Sequence, residues 1–262
     1  MIRSLWTAAS GMLAQQISMD TIANNLANVN TSGFKKSRVD FKDLIYQKLG
    51  DNGLGTLQTP GSENAQVGNG VAPVISGKLF DQGTLENTGR PLDVAIQGEG
   101  FFAIRLPDGR TGYTRDGCFH IDSQGYLVTS DGNYVLYDGG NRLYISPEQA
   151  SGEISISPDG RFTIGGTSGV YQLKLFKFAN PEGLTAVGQN CFVESPSSGY
   201  AISGIPGSRG YGNVVQGCLE RSNVSVIEEM VRMITVQRAY ELNSKAIQSS
   251  DEMLGIANNL RR

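Results

Sequence analysis

The sequence predicts an α+β chain in which N- and C-terminal helices pair as a coiled-coil-like layer and a β-rich middle domain is inserted between them. Three observations predict this. An apolar stripe runs through the last forty residues at helical spacing. A matching repeat occupies the first thirty. Between them lie short alternating runs separated by turn residues.

The C-terminal stripe is Val224, Ile227, Val231, Thr235, Ala239, Leu242, Ala246, Ser249, Met253, Ile256 and Leu260. Its steps are three or four residues, with one stutter of consecutive fours between Ile227 and Ala239. No proline interrupts it, and its only glycine is Gly255. At 1.5 Å per residue, a helix from Asn223 to Leu260 is roughly 55 Å long, too long to hide its stripe against one small domain. Ser225 followed by Glu228 has capping-box spacing, and Glu228 and Glu229 suit the positive end of the dipole. Glu228–Arg232 and Glu241–Lys245 are i,i+4 pairs off the seam.

Met1 to Val29 reads as the partner helix. Leu5, Met12, Met19 and Leu26 recur every seven residues, with Ala8, Ile22 and Val29 in the companion register. The pentapeptide Ile22-Ala23-Asn24-Asn25-Leu26 returns unchanged as Ile256-Ala257-Asn258-Asn259-Leu260. Arg3 and Asp20 are the only charges in this stretch, so the face away from the seam is Ser, Thr, Gln and Asn. A solvated helix normally carries ion pairs, so this one is expected to be covered on several sides by other protein. Asn28 to Gly33 should end it, because Asn and Gly tolerate the left-handed conformation.

The middle is read from its punctuation. Glycine is abundant at 34 residues and charge is sparse at 18%, which points to turn-rich β-structure. Phe34 to Leu49 continues as strand or short helix, and Lys35, Lys36 and Arg38 read as a solvated turn rather than a phosphate contact. Gly50 to Gly70 reads as an extended linker, and a domain boundary is set around it: residues 1–45 with 222–262, the linker 46–72, and the β-rich 73–221. Strands are expected at Leu92–Ile96, Phe101–Ile104, Phe119–Ile121, Tyr126–Val128, Tyr134–Tyr137, Ile154–Ile156 and Tyr171–Phe176. Pro107-Asp108-Gly109-Arg110 and Pro158-Asp159-Gly160-Arg161 suit tight hairpin loops.

Several function classes lack support. A formal charge of −3 gives no reason to expect nucleic acid or an anionic membrane as partner. No stretch approaches the roughly 20 apolar residues of a membrane span. Gln15, Gln16 and Ser18 break any signal-peptide apolar region after Arg3. Cys118, Cys191 and Cys218 are widely spaced and odd in number, and read as buried small hydrophobes. His120 has no second ligand at metal spacing and reads as a partly exposed strand residue, so no metal is expected. Gly98-Glu99-Gly100-Phe101-Phe102-Ala103 fits a dinucleotide fingerprint, but a strand pattern follows where a helix is needed, so it reads as a β-turn. With no nucleophile motif and no catalytic constellation, the sequence argues for a structural protein without cofactors.

Asp20-Thr21-Ile22-Ala23-Asn24-Asn25-Leu26-Ala27-Asn28-Val29-Asn30-Thr31-Ser32-Gly33-Phe34-Lys35 resembles the signature of bacterial flagellar axial proteins of the rod and hook family. Leu92 to Phe102, Tyr113-Thr114-Arg115-Asp116-Gly117, and the end from Asn223 through Glu228-Glu229-Met230-Val231 to Glu241 resemble other motifs of that family. Met1 to Met12, the size, and Gly89-Arg90-Pro91-Leu92-Asp93 resemble its distal-rod branch.

The resemblance implies terminal helices packed as an inner tube around an export channel, with the β-domain as an outer layer. It implies a helical homopolymer acting as a drive shaft from motor to hook. Proximal rod proteins, the hook protein and the surrounding periplasmic and outer rings would be its partners. It also implies a periplasmic end point, reached through the flagellar type III apparatus without a cleaved signal. Gln47 to Val71 occupies the place of a segment that stiffens the distal rod, so the linker is expected to be an ordered strap. The self-assembly seam expected is Leu5, Met12, Met19, Ile22, Leu26, Val224, Ile227, Val231, Leu242, Ala246, Met253, Ile256 and Leu260. Alternatives are a proximal rod or hook subunit, a nucleotide-binding enzyme using the Gly98 loop, and an adhesive surface β-protein whose termini are dispensable for assembly.

Overall fold

The computed structural model describes residues 2–48, 66–138, 140–146, 154–164 and 167–259. Leu260 and most of the expected strap therefore lie outside the described residues. The chain is α+β: a helix α1 (Ile2–Ala27), a β-rich middle, and a helix α2 (Val226–Asn259). It divides into two compact units, one of 1–26, 37–77 and 226–262, the other of 27–36 and 78–225.

The helical unit joins the two terminal helices to two small two-stranded sheets. Strand Ser37–Asp43 pairs with Val71–Lys78, and Gln47–Lys48 pairs with Gln66–Val67. Leu44 N–H donates to Gly70 O at 2.9 Å, which continues the first pairing. Helix α2 begins directly after Ser225, with Glu228 and Glu229 in its first turn. Helix α1 stops before Asn28, where Thr31 N–H bonds back to Asn28 O.

The β-rich unit is built on a seven-stranded antiparallel sheet among the described residues. Its order is Thr185–Gly188, Cys191–Val193, Thr111–Thr114, Phe102–Arg105, Tyr134–Leu136, Leu127–Thr129, Phe119–Ile121. Strand Phe102–Arg105 is central and buried on both faces. Phe102 packs with Phe119, Leu127, Val135 and Phe162, while Phe101 and Ala103 pack with Tyr113, Leu136, Phe178 and Phe192. Such continuous burial explains why Phe101 to Ile104 reads as an unbroken apolar run. Each of these large side chains contributes roughly 1.5–3 kcal/mol on burial. The rings meet edge to face, as Phe102 and Phe119 do at 5.3 Å.

Both Pro-Asp-Gly-Arg loops sit between paired strands. The first joins Phe102–Arg105 to Thr111–Thr114, and the second joins Ile154–Ile156 to Arg161–Ile164. Gly109 takes φ +82°, with Arg110 Nε bonded to Asp108 at 2.5 Å. One expected strand is broken: Tyr171–Phe176 splits into Thr167–Gln172 and Leu175–Lys177. Between them the backbone changes partners, as Leu173 N–H donates to Gly160 O and Lys174 N–H to Tyr137 O.

Candidate functional site: the terminal helices and a buried charge cluster

Within the helical unit, α1 and α2 touch along a face of small and polar residues. Ser4 Oγ lies 3.4 Å from Ser250 Oγ, and Asn25 Nδ2 donates to Glu229 Oε2 at 3.3 Å. These contacts run the helices in opposite directions. The covered positions of α2 include Glu229, Met233, Val236, Asn243, Ile247 and Ser250. On α1 the most deeply covered are Ala14, Ile22 and Asn25, at 3%, 7% and 1% exposure.

The expected apolar stripe of α2 is largely a different face. Ile227 is 77% exposed, Val231 57%, Leu242 66%, Met253 50% and Ile256 61%. Ala246 is also exposed, whereas Val224, just before the helix, is buried. On α1, Leu5, Met12, Met19 and Leu26 are half-buried and Ile22 is buried. Trp6 and Leu13 add further exposed apolar surface on α1. The single chain thus covers polar groups between its helices and leaves large apolar side chains of α2 in water, against the usual hydrophobic pattern.

Asn25 is held from two sides. Its Oδ1 accepts from Ser37 N–H at 2.9 Å, and its Nδ2 donates to Ser37 O at 2.9 Å, so the amide pairs with the start of strand Ser37–Asp43 as another strand would. Arg232 Nη1 stands 3.7 Å from Glu229 Oε1, an i,i+3 contact. A cavity of about 160 Å³ opens beside these groups, lined by Ser18, Thr21, Ile22, Arg38, Thr235 and Val236 among others.

The β-rich unit buries charge of its own. Lys35 Nζ donates to Glu220 Oε1 at 2.6 Å and to Asp81 O at 2.7 Å. Arg115 Nη1 lies 3.5 Å from Glu220 Oε2 and bonds Gly98 O at 2.9 Å, with its guanidinium over the Phe101 ring. Gly83 N–H also donates to Glu220 Oε1. All three side chains are at most 4% exposed. Burial pulls the Lys35 ammonium and the Arg115 guanidinium below their ordinary values, and the Glu220 carboxylate opposes that.

The solvated turn expected at Lys35 and Lys36 is therefore corrected: Lys35 is 1% and Lys36 8% exposed, while Arg38 is exposed. A lysine here is buried because a carboxylate and a carbonyl meet its ammonium. Gly33 makes room for this turn. It sits at φ +68°, and a Cβ there would stand 2.6 Å from Asp116 N.

The remaining candidates fall as follows. His120 is exposed on strand Phe119–Ile121, 3.1 Å from Arg90 Nη2. Cys191 is buried, but Cys118 and Cys218 are only half-buried, so the reading of all three as core residues holds for one. Gly98 and Gly100 precede a strand, not a helix. Glu220 escaped the sequence reading. Its signal is indirect at most: Lys35 and Arg115 are basic residues within the family-like motifs, and neither motif identifies their shared counter-charge.

Comparison with known proteins bears on the same segments. Residues 5–35 match the family described as "Flagella basal body rod protein", 95–164 match "Flagellar hook protein FlgE/F/G D1 domain", and 215–260 match "Flagellar basal body rod FlgEFG protein C-terminal". The chain is similar to the flagellar basal-body rod protein FlgG of Borreliella burgdorferi, 51% identical over 273 residues that cover 100% of both chains. It is 41% identical to FlgG of Bacillus subtilis, again over 100% of both chains. It is 32% identical to the Bacillus subtilis flagellar hook-basal body complex protein FlhP, with the same full coverage.

Proposed function

The chain belongs to the flagellar basal-body rod protein family, and from that premise we propose that it is a self-assembling axial subunit of the distal rod. Many copies bury one another's seams in a helical tube, and the tube transmits torque from motor to hook. A heterologous contact that does not close, repeated along an axis, generates such a tube. The terminal helices form a coiled-coil-like layer of that tube.

The observation that carries this reading is the exposed stripe of α2. Ile227, Val231, Leu242, Met253 and Ile256 are each at least half exposed, yet they recur at seam spacing. An apolar surface of that length on a lone chain is a binding surface, and the family supplies the partner: further copies of the same chain. Its neighbours along the axis are the proximal rod proteins and the hook protein, with periplasmic and outer rings around it. Its site is periplasmic, reached by export through the flagellar apparatus, and among the described residues no helix is long and apolar enough to cross a membrane.

Deleting Leu242 to Arg262 tests the proposal. The truncated chain should keep the near-ultraviolet signal and cooperative melt of its β-rich unit and should form no filaments under conditions where the full chain does. Filaments from the truncated chain would refute it.

A further inference from the structure

Apolar repeats alone leave the alignment of α1 and α2 ambiguous. Leu5, Met12, Met19 and Leu26 return every seven residues, so sliding one helix past the other by seven restores an equivalent apolar pattern. A second stripe on α1 has the same period but not the same chemistry: Ser4, Gly11, Ser18, Asn25. Its counterparts on α2 run back in matching steps: Ser250, Asn243, Val236, Glu229.

Three of these four pairs are in contact. Ser4 and Ser250 hydroxyls are 3.4 Å apart, Asn25 donates to Glu229 at 3.3 Å, and a Cβ on Gly11 would meet Asn243 Nδ2 at 2.9 Å. The fourth pair, Ser18 and Val236, lines a single cavity. Asn25 and Glu229 are 1% and 0% exposed.

We propose that this stripe is a register key: Asn25 and Glu229 admit one antiparallel alignment of the terminal helices, and Gly11 opposite Asn243 checks it. A slide of seven residues in one direction sets Val236 against Asn25 and carries Glu229 past the end of α1. A slide in the other direction sets Ser18 against Glu229 and Val236 against Gly11, and carries Asn25 past the start of α2. Either way the buried carboxylate and the buried amide lose each other, a loss that the repeating apolar stripe does not impose. The key also has a fixed origin, because the Asn25 amide is bonded to both backbone groups of Ser37. Asn25 and Glu229 are thus positioning residues, and their role is within one chain, independent of whether the chain assembles.

The test moves the key. In the full chain, at dilution that excludes links between chains, the free cysteines Cys118, Cys191 and Cys218 are replaced by alanine and two reporter pairs are introduced. S4C with S250C reports the native alignment, and S4C with N243C reports a slide of seven residues, about 10 Å away along the axis and beyond disulfide reach in the native register. In the otherwise native sequence the first pair should oxidise at least ten-fold more than the second. Moving the asparagine one repeat, Ser18→Asn with Asn25→Leu, should reverse that preference, because the relocated amide would then meet Glu229 in the shifted register. The milder Asn25→Ser, which disturbs the helix less, should lower the ratio at least three-fold. Equal oxidation of both pairs in the native sequence overturns the proposal, as does an unchanged ratio in Asn25→Ser or a relocated chain that still links only the native pair.

Discussion

In the β-rich unit, Lys35, Arg115 and Glu220 are buried alongside a fully packed aromatic core; in the helical unit, Asn25 and Glu229 are buried between helices while Ile227, Leu242 and Ile256 stand exposed. Both units hide polar groups, but only the first packs a continuous core of large apolar side chains. The difference teaches where each unit gets its stability. The β-rich unit carries its own core, so its charge cluster can be held in place by packing already present. The helical unit has polar pairing that specifies an alignment and leaves much of its apolar surface open, which under the proposed function further copies would cover.

The comparison can be broken most severely at Glu220. Glu220→Ala should lower the stability of the β-rich unit by about 3–5 kcal/mol in chemical denaturation, because two buried cations lose their shared carboxylate. A change under about 1 kcal/mol would mean that water already reaches the cluster.

A smaller effect depends on pH. Burial pushes the Asp116 carboxyl up to about 6, with the neighbouring Asp131 and Asp93 adding to it. Its folded value is raised, so its contribution is fully present below the unfolded value near 4 and is lost as pH rises through 6. Stability of the β-rich unit should fall by on the order of 1–3 kcal/mol across that window, and Asp116→Asn should flatten the profile. A profile that is unchanged in the variant removes Asp116 as its cause.

Gly109→Ala sharpens the comparison further. A Cβ at Gly109 meets nothing within 4 Å, so only the positive φ of +82° resists it, at about 1 kcal/mol. The loss should appear as a lower melting temperature with assembly unaffected.

The smallest effect on the single chain is expected at Ile227→Asp. Its side chain is 77% exposed, so monomer stability should change by less than about 0.5 kcal/mol. Polymer yield, read by sedimentation, should nevertheless fall more than ten-fold. Loss of monomer stability in step with polymer would instead place Ile227 inside the folded chain.

Much of this was legible in the sequence, and the gaps have physical causes. Both terminal helices follow from their period, and the strands at Phe101–Ile104 and Ile154–Ile156 follow from apolar runs. The face of α2 that meets α1 did not follow, because Glu229, Asn243 and Ser250 are residues that a search for an apolar seam discards. Strands Thr111–Thr114 and Asn213–Gln216 went unseen because Thr, Gly, Asn and Gln carry little apolar signal; their pairing partners supply it. Glu220 could not be found by local pattern, since its partners lie 185 and 105 residues away.

Opposed helices have one more consequence. Helix α1 has no acidic residue in its first turn, which carries Arg3 instead, and no basic residue in its last, so its own side chains do not offset its dipole. Alignment against α2 sets the electron-rich end of one beside the electron-poor end of the other, so each neutralises its neighbour's terminal field.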